Sequence, residues 1–292
     1  MTQEKSTHNL AWLWQIPLIG AGYFMATIIS GAMVTAVRLE FPEFPGQVYN
    51  PALSFLASIV LGAAAYLLAR GIRGSMRNRW LVLFSFIYVS YCVNNQIEGA
   101  TFTTADGYGT MLIFFLLPCA LIAGAAVLLV KAPVDGEPLT AVFSDRPVSS
   151  WWWRATLAWL AFPFIYYLFG MFAYPFVADV YQGGELGLRV PSQGVIFAVV
   201  SLRSLLFLLV TIPILMNWAR SRRSLLIALA AALSATVGVS GLIEAGWLPT
   251  AMRVVHSIEI IADSIVHALV LVALLVPKKK KSEVELSPVR AD

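Results

Sequence analysis

Apolar residues in this chain neither alternate with polar ones nor recur on one stripe. They run on in stretches of about 20 residues, each long enough to cross roughly 30 Å of hydrocarbon as a helix. Eight such stretches are read at about 11–37, 51–70, 80–102, 110–131, 153–178, 194–218, 224–247 and 252–276. Short polar segments with glycine and proline separate them, so the pattern predicts an all-α integral membrane protein with eight transmembrane helices. A transmembrane β-barrel would instead show alternating segments of about ten residues.

Composition agrees. Of 292 residues, 59% are hydrophobic and 12% charged, and the mean hydropathy is +0.77. A water-soluble protein of this length needs more polar surface. The net charge of +4 does not indicate nucleic acid, because Lys and Arg fall in short clusters between apolar runs. Arg70, Arg73, Arg77 and Arg79 lie in one connection, Arg220, Arg222 and Arg223 in another, and Lys278 to Lys281 in the tail. The intervening connections hold few cations. The positive-inside rule therefore places both termini in the cytoplasm, as an even number of spans requires, and the protein in a cell (plasma or inner) membrane with the lipid bilayer as its partner. Trp12, Trp14, Trp80, Trp151, Trp152, Trp153 and Trp218 fall on the cytoplasmic side, where an interfacial aromatic belt belongs. The N-terminus lacks the three-part pattern of a cleaved signal, so the first stretch is expected to remain a span. Cys92 and Cys119 sit inside apolar runs without C-x-x-C spacing and read as buried free thiols.

The segment 132–152 is polar and proline-containing, and reads as a cytoplasmic linker between two halves. At an offset of 146, Pro17 meets Pro163, Arg77 meets Arg223, and Ile97–Glu98 meets Ile243–Glu244. The halves 1–131 and 153–276 are accordingly expected to be four-helix repeats, followed by a basic tail, 277–292. Four spans preserve orientation, so the repeats would be parallel, about an axis along the membrane normal.

Ionisable residues inside spans are costly, so each one present calls for a reason. In the last span His256, Glu259, Asp263 and His267 are spaced to share one face, within an arc of roughly 80° at 100° per residue. Ile258, Ile260, Ile261, Ile265 and Val266 are left to face lipid. Glu98 shares a polar strip with Tyr91, Asn94, Asn95 and Thr101, and Glu244 follows Gly238 and Gly241, small residues that permit close helix approach. Counted from the span ends, Glu98, Glu244, His256 and Glu259 form one layer near the outer surface. Arg203 enters from the outer side to a depth of about 14 Å, close to the roughly 16 Å of Asp263. That coincidence predicts an Arg203–Asp263 ion pair, with Glu259 as the second choice.

Three kinds of chemistry fit these residues. Graded acids and histidines through Glu259, Asp263 and His267 suit an ion or proton path in a small transporter or channel carrying a small ion or small molecule. Glu98, Glu244, His256 and Glu259 also offer a ligand set for a divalent metal ion in a membrane-embedded hydrolase or oxidoreductase. A non-catalytic membrane scaffold or sensor would use the same charges only to fix packing. Against the transporter, no pair of glycine- or proline-broken helices marks a substrate site; Pro163 and Pro175 are the candidate break points in the fifth span.

Overall fold

A computed structural model describes residues 10–133, 146–184 and 186–277. Most of the 132–152 linker and all but the first residue of the basic tail, with Lys278 to Lys281, lie outside the described residues. Eight helices long and apolar enough to cross a membrane are present: α1 (Trp12–Ala36), α2 (Pro51–Ala69), α3 (Met76–Phe102), α4 (Tyr108–Leu129), α5 (Val148–Gly183), α6 (Gln193–Met216), α7 (Arg222–Glu244) and α8 (Thr250–Leu275). Among the described residues the only β contacts are two isolated bridges.

Local chemistry sets the helix starts. Asn50 accepts from the amides of Ala52 and Leu53, and Pro51 at the first helical position begins α2. Ser75, Ser192 and Ser221 cap α3, α6 and α7, each hydroxyl accepting from the amide three residues on. Large apolar side chains face outward, among them Phe164, Met171, Phe172 and Phe176 on α5. Buried polar groups such as Asn94, Arg203, Asp263 and His267 face inward. This inside-out distribution is compatible with a polytopic membrane protein.

The α3 and α7 helices share an irregularity. Each contains a π-helical turn, Tyr88–Val93 in α3 and Ala235–Val239 in α7. Within each, a hydroxyl bonds back to the carbonyl four residues earlier, Ser90 to Phe86 and Thr236 to Ala232. The two turns touch each other in the middle of the molecule. Around them α1 packs on α2 and α4, and α5 on α6 and α8; α3 packs on α4 and reaches α6, while α7 packs on α8 and reaches α2.

The connections before α3 and α7 meet antiparallel. Ile72 bridges Trp218, the Arg73 amide donates to the Asn217 carbonyl at 2.9 Å, and the Ala219 amide donates to the Gly71 carbonyl at 2.9 Å. Gly71 is required here, because a Cβ would stand 2.2 Å from the Trp218 ring.

Several sequence expectations are corrected. Trp218 is buried in this junction and cannot serve an interfacial belt; Trp12, Trp14, Trp152 and Trp153 are exposed. Arg79 is buried and donates to the carbonyls of Ala69, Ile72, Val127 and Val130. It neutralises the C-terminal ends of α2 and α4, where a cation is favoured by the helix dipole. Pro163 and Pro175 do not break α5, which runs unbroken for 36 residues.

Candidate functional site

The residues that could do chemistry gather at one end of α3, α5, α6 and α8. They line a cavity of about 90 Å³ whose polar wall consists of Glu98, Tyr166, Tyr181, Arg203, His256, Glu259 and Asp263. Its apolar wall includes Val237 of α7 and Ile260 of α8. Gly238 lets these two helices approach, since a Cβ there would lie 2.3 Å from the Ile260 side chain, whereas nothing crowds Gly241.

Arg203 is the centre of the site and is 1% exposed. Its Nη2 donates to Glu98 Oε2 at 2.9 Å, and its Nε donates to Asn94 Oδ1 at 2.7 Å. Asn94 is held by Asn95, whose amide donates to the carbonyl of Thr236 in the α7 π turn. Tyr166 places its ring 5.8 Å from the guanidinium. The remaining terminal nitrogen, Nη1, is buried without a partner among the described residues.

The α8 stripe supplies the other wall. His256 Nδ1 and Glu259 Oε2 are 2.7 Å apart, so a carboxylate orients the imidazole and leaves Nε2 buried without a partner among the described residues. Tyr181 meets that ring edge-on, with centroids 6.3 Å apart. Asp263, 4% exposed, accepts only a 3.3 Å contact from the adjacent Ser264 hydroxyl. Val254, Ile258, Ile261 and Ile265 are exposed on the opposite side of α8. Ile260 turns inward, against the expectation that it faces lipid.

The expected Arg203–Asp263 ion pair is not formed: among the described residues Arg203 pairs with Glu98. Equal depth does not decide pairing here. The α3–α6 contact brings Glu98 and Asn94 against the guanidinium, and Asp263 lies across the cavity. Glu244 leaves the predicted layer because α7 packs on α2, which brings its carboxyl near the Ser54 hydroxyl. The four-residue metal set Glu98, Glu244, His256 and Glu259 is therefore not assembled. Among the described residues no group of three His, Cys, Asp or Glu side chains is arranged to share a metal ion.

His267 lies below the cavity, its ring 4.8 Å from Phe162 and 6.1 Å from Phe207, and its Nε2 has no protein partner. Tyr91 also turns away, edge-on to Tyr23 and Phe115. It sits within the π turn, whose wider spacing takes it off the strip with Glu98. Sequence reading missed Tyr166 and Tyr181; the available signal was a phenol inside an apolar span, which needs a polar neighbour. It also missed Arg189 and Arg253. Arg189 donates to the carbonyls of Ala100 and Thr101, and Arg253 to those of Leu242 and Ile243, closing the ends of α3 and α7 as Arg79 does at the other face.

Comparison with protein-family models, with curated proteins and with solved structures finds no match for this chain.

Proposed function

We propose that this is a multi-pass protein of the cell membrane, with both termini cytoplasmic, that moves or conducts a small cation or proton through the cavity of Glu98, Arg203, Glu259 and Asp263. One observation carries the reading: three carboxylates and a histidine line a partly enclosed space around a buried guanidinium. Such groups are expensive inside a bilayer, and clusters facing an internal cavity mark ion and proton paths. A volume of about 90 Å³ fits a few waters or a small ion, since a water occupies about 30 Å³ in the liquid.

The chain is further proposed to be built of two parallel four-helix repeats, 1–131 and 153–276. Features beyond the sequence identities support this. The caps Ser75 and Ser221, the back-bonded hydroxyls Ser90 and Thr236 of the π turns, the ends of those turns and the acids Glu98 and Glu244 all fall at the same offset of 146. Ile72 and Trp218 are also 146 apart, and the two backbone hydrogen bonds flanking their bridge exchange under that offset. A reciprocal contact of this kind is what a two-fold axis produces.

The test is flux. Purified protein in liposomes carrying a trapped pH dye and given a pH, Na⁺ or K⁺ gradient is expected to show flux above protein-free vesicles. Asp263→Asn and Glu259→Gln should abolish it without loss of folded protein. No flux of protons or of either cation from well-folded protein would reject the reading in favour of a scaffold or sensor. A reporter fused after Lys281 that is active only outside the cell would reject the topology.

A further inference from the structure

We propose that the cavity binds water between Arg203 Nη1 and His256 Nε2, and that the ion it exchanges is the proton, taken and released by Asp263. The inference rests on the reading of this cavity as an ion site and narrows its substrate.

The charges facing Asp263 can be paired off. Glu98 on α3 is taken by Arg203 on α6 at 2.9 Å, and Glu259 by His256 on α8 at 2.7 Å. The α5 helix contributes only the phenols Tyr166 and Tyr181, and α7 only the apolar Val237. Asp263 is thus the one carboxylate of the cavity with no arginine or histidine nitrogen within ion-pair distance among the described residues. A buried carboxylate in that position is stabilised by a proton or by a cation from outside.

Two features choose the proton. A metal cation beside Asp263 would lack a set of protein ligands, because among the described residues no three acid, histidine or cysteine groups converge on one point. The proton needs no such set.

The second feature is the pair of unmatched nitrogens. Arg203 Nη1 and His256 Nε2 are buried, without partners among the described residues, and their side chains border the same space. Buried polar atoms are rarely left unpaired, and a water with two to four polar neighbours satisfies both. Arg203 Nη1 donates to the water oxygen. With Glu259 held at Nδ1, His256 Nε2 is the ring nitrogen left to bond the water. The carboxylates complete the water's surroundings. Glu98, whose side chain is 35% exposed against 1% for Arg203, connects this space to the outside. A proton entering there passes along the water to Asp263, whose carboxylate becomes a neutral acid; the reverse step restores it. No other bond is made or broken.

Infrared difference spectroscopy of the full chain in lipid tests the assignment directly. Between acidic and alkaline buffer, the protein should show the carbonyl stretch of a buried carboxylic acid, shifted in deuterium oxide. Asp263→Asn should remove that band, while Na⁺, K⁺, Mg²⁺ and Zn²⁺ should leave it unchanged in the natural protein. His256→Phe should slow the band's appearance after a pH jump by about tenfold or more. A band that persists in Asp263→Asn, or one that any of these metal ions displaces, would overturn the proposal. The metal titration needs no variant and stands even where Asp263→Asn fails to fold. Flux that requires Na⁺ or K⁺ would overturn the proton assignment and leave the transport reading intact. A proton band without any flux would do the opposite.

Discussion

Glu98 and Glu244 occupy the same place on two similar helices, each five residues past its π turn, and their surroundings differ completely. Glu98 meets a buried arginine from α6 and opens on a polar cavity. Glu244 meets α2 near the Ser54 hydroxyl and has no arginine or histidine within ion-pair distance among the described residues. At the offset of 146, α2 has the buried Ala57 where α6 has Arg203. On α4, Thr110, Ile113, Leu117 and Leu121 stand where α8 has His256, Glu259, Asp263 and His267. The acid by itself therefore does not define a site. The neighbouring span decides whether it becomes half of an ion pair or a lone group in an apolar wall.

This contrast is tested first by neutralising each acid. Glu98→Gln leaves the nearly unexposed Arg203 charge without a counter-ion, and breaking a buried pair in this way costs about 3–5 kcal/mol, toward the lower figure because Glu98 itself reaches solvent. Glu244→Gln keeps a group able to bond Ser54 and introduces no orphaned charge, so its cost should stay within about 1 kcal/mol. Thermal unfolding in detergent measures both. Equal losses would mean that the two acids are equivalent after all.

The partner of Arg203 is tested next. In a double-mutant cycle, Arg203→Met with Glu98→Gln should show a coupling energy of about 1–3 kcal/mol, and Arg203→Met with Asp263→Asn less than about 0.5 kcal/mol. The reverse ranking would restore the Asp263 pairing and dissolve the argument that Asp263 lacks a cation.

That pairing shows where sequence reading stops. The apolar runs located all eight helices closely, because length and hydropathy are properties of one segment. The α8 stripe was legible for the same reason: its spacing fixes one face on any helix. Pairing is a property of two segments. Depths counted from span ends place Arg203 level with Asp263, but depth does not reveal that α6 lies against α3. The π turn in α3 is equally silent in the sequence, and it carries Tyr91 away from the strip that includes Asn94 and Glu98. Arg79 and Trp218 were misplaced for a related reason. Position in a connection suggested the interface, whereas the packing of that connection against helix ends and its counterpart buries them both.

The smallest expected effect concerns the quiet half. Ser54→Ala removes a hydroxyl near the Glu244 carboxyl and should lower stability by no more than about 1 kcal/mol, the typical net worth of a hydrogen bond between protein groups. Flux and the infrared band should not change, because Ser54 and Glu244 stand outside the cavity wall. Asn94→Ala is the substitution to set beside it, since Asn94 accepts from Arg203 Nε at 2.7 Å. Its stability cost should be larger, about 1.5–3 kcal/mol, because the bond it removes is to a charged group. It should also disturb the flux, since a guanidinium freed from Nε can turn toward Asp263. If the two substitutions proved equal in stability and equally silent in flux, the asymmetry between the halves would be one of composition alone. A loss of flux in Ser54→Ala would instead make Glu244 part of the path and extend the site across both halves.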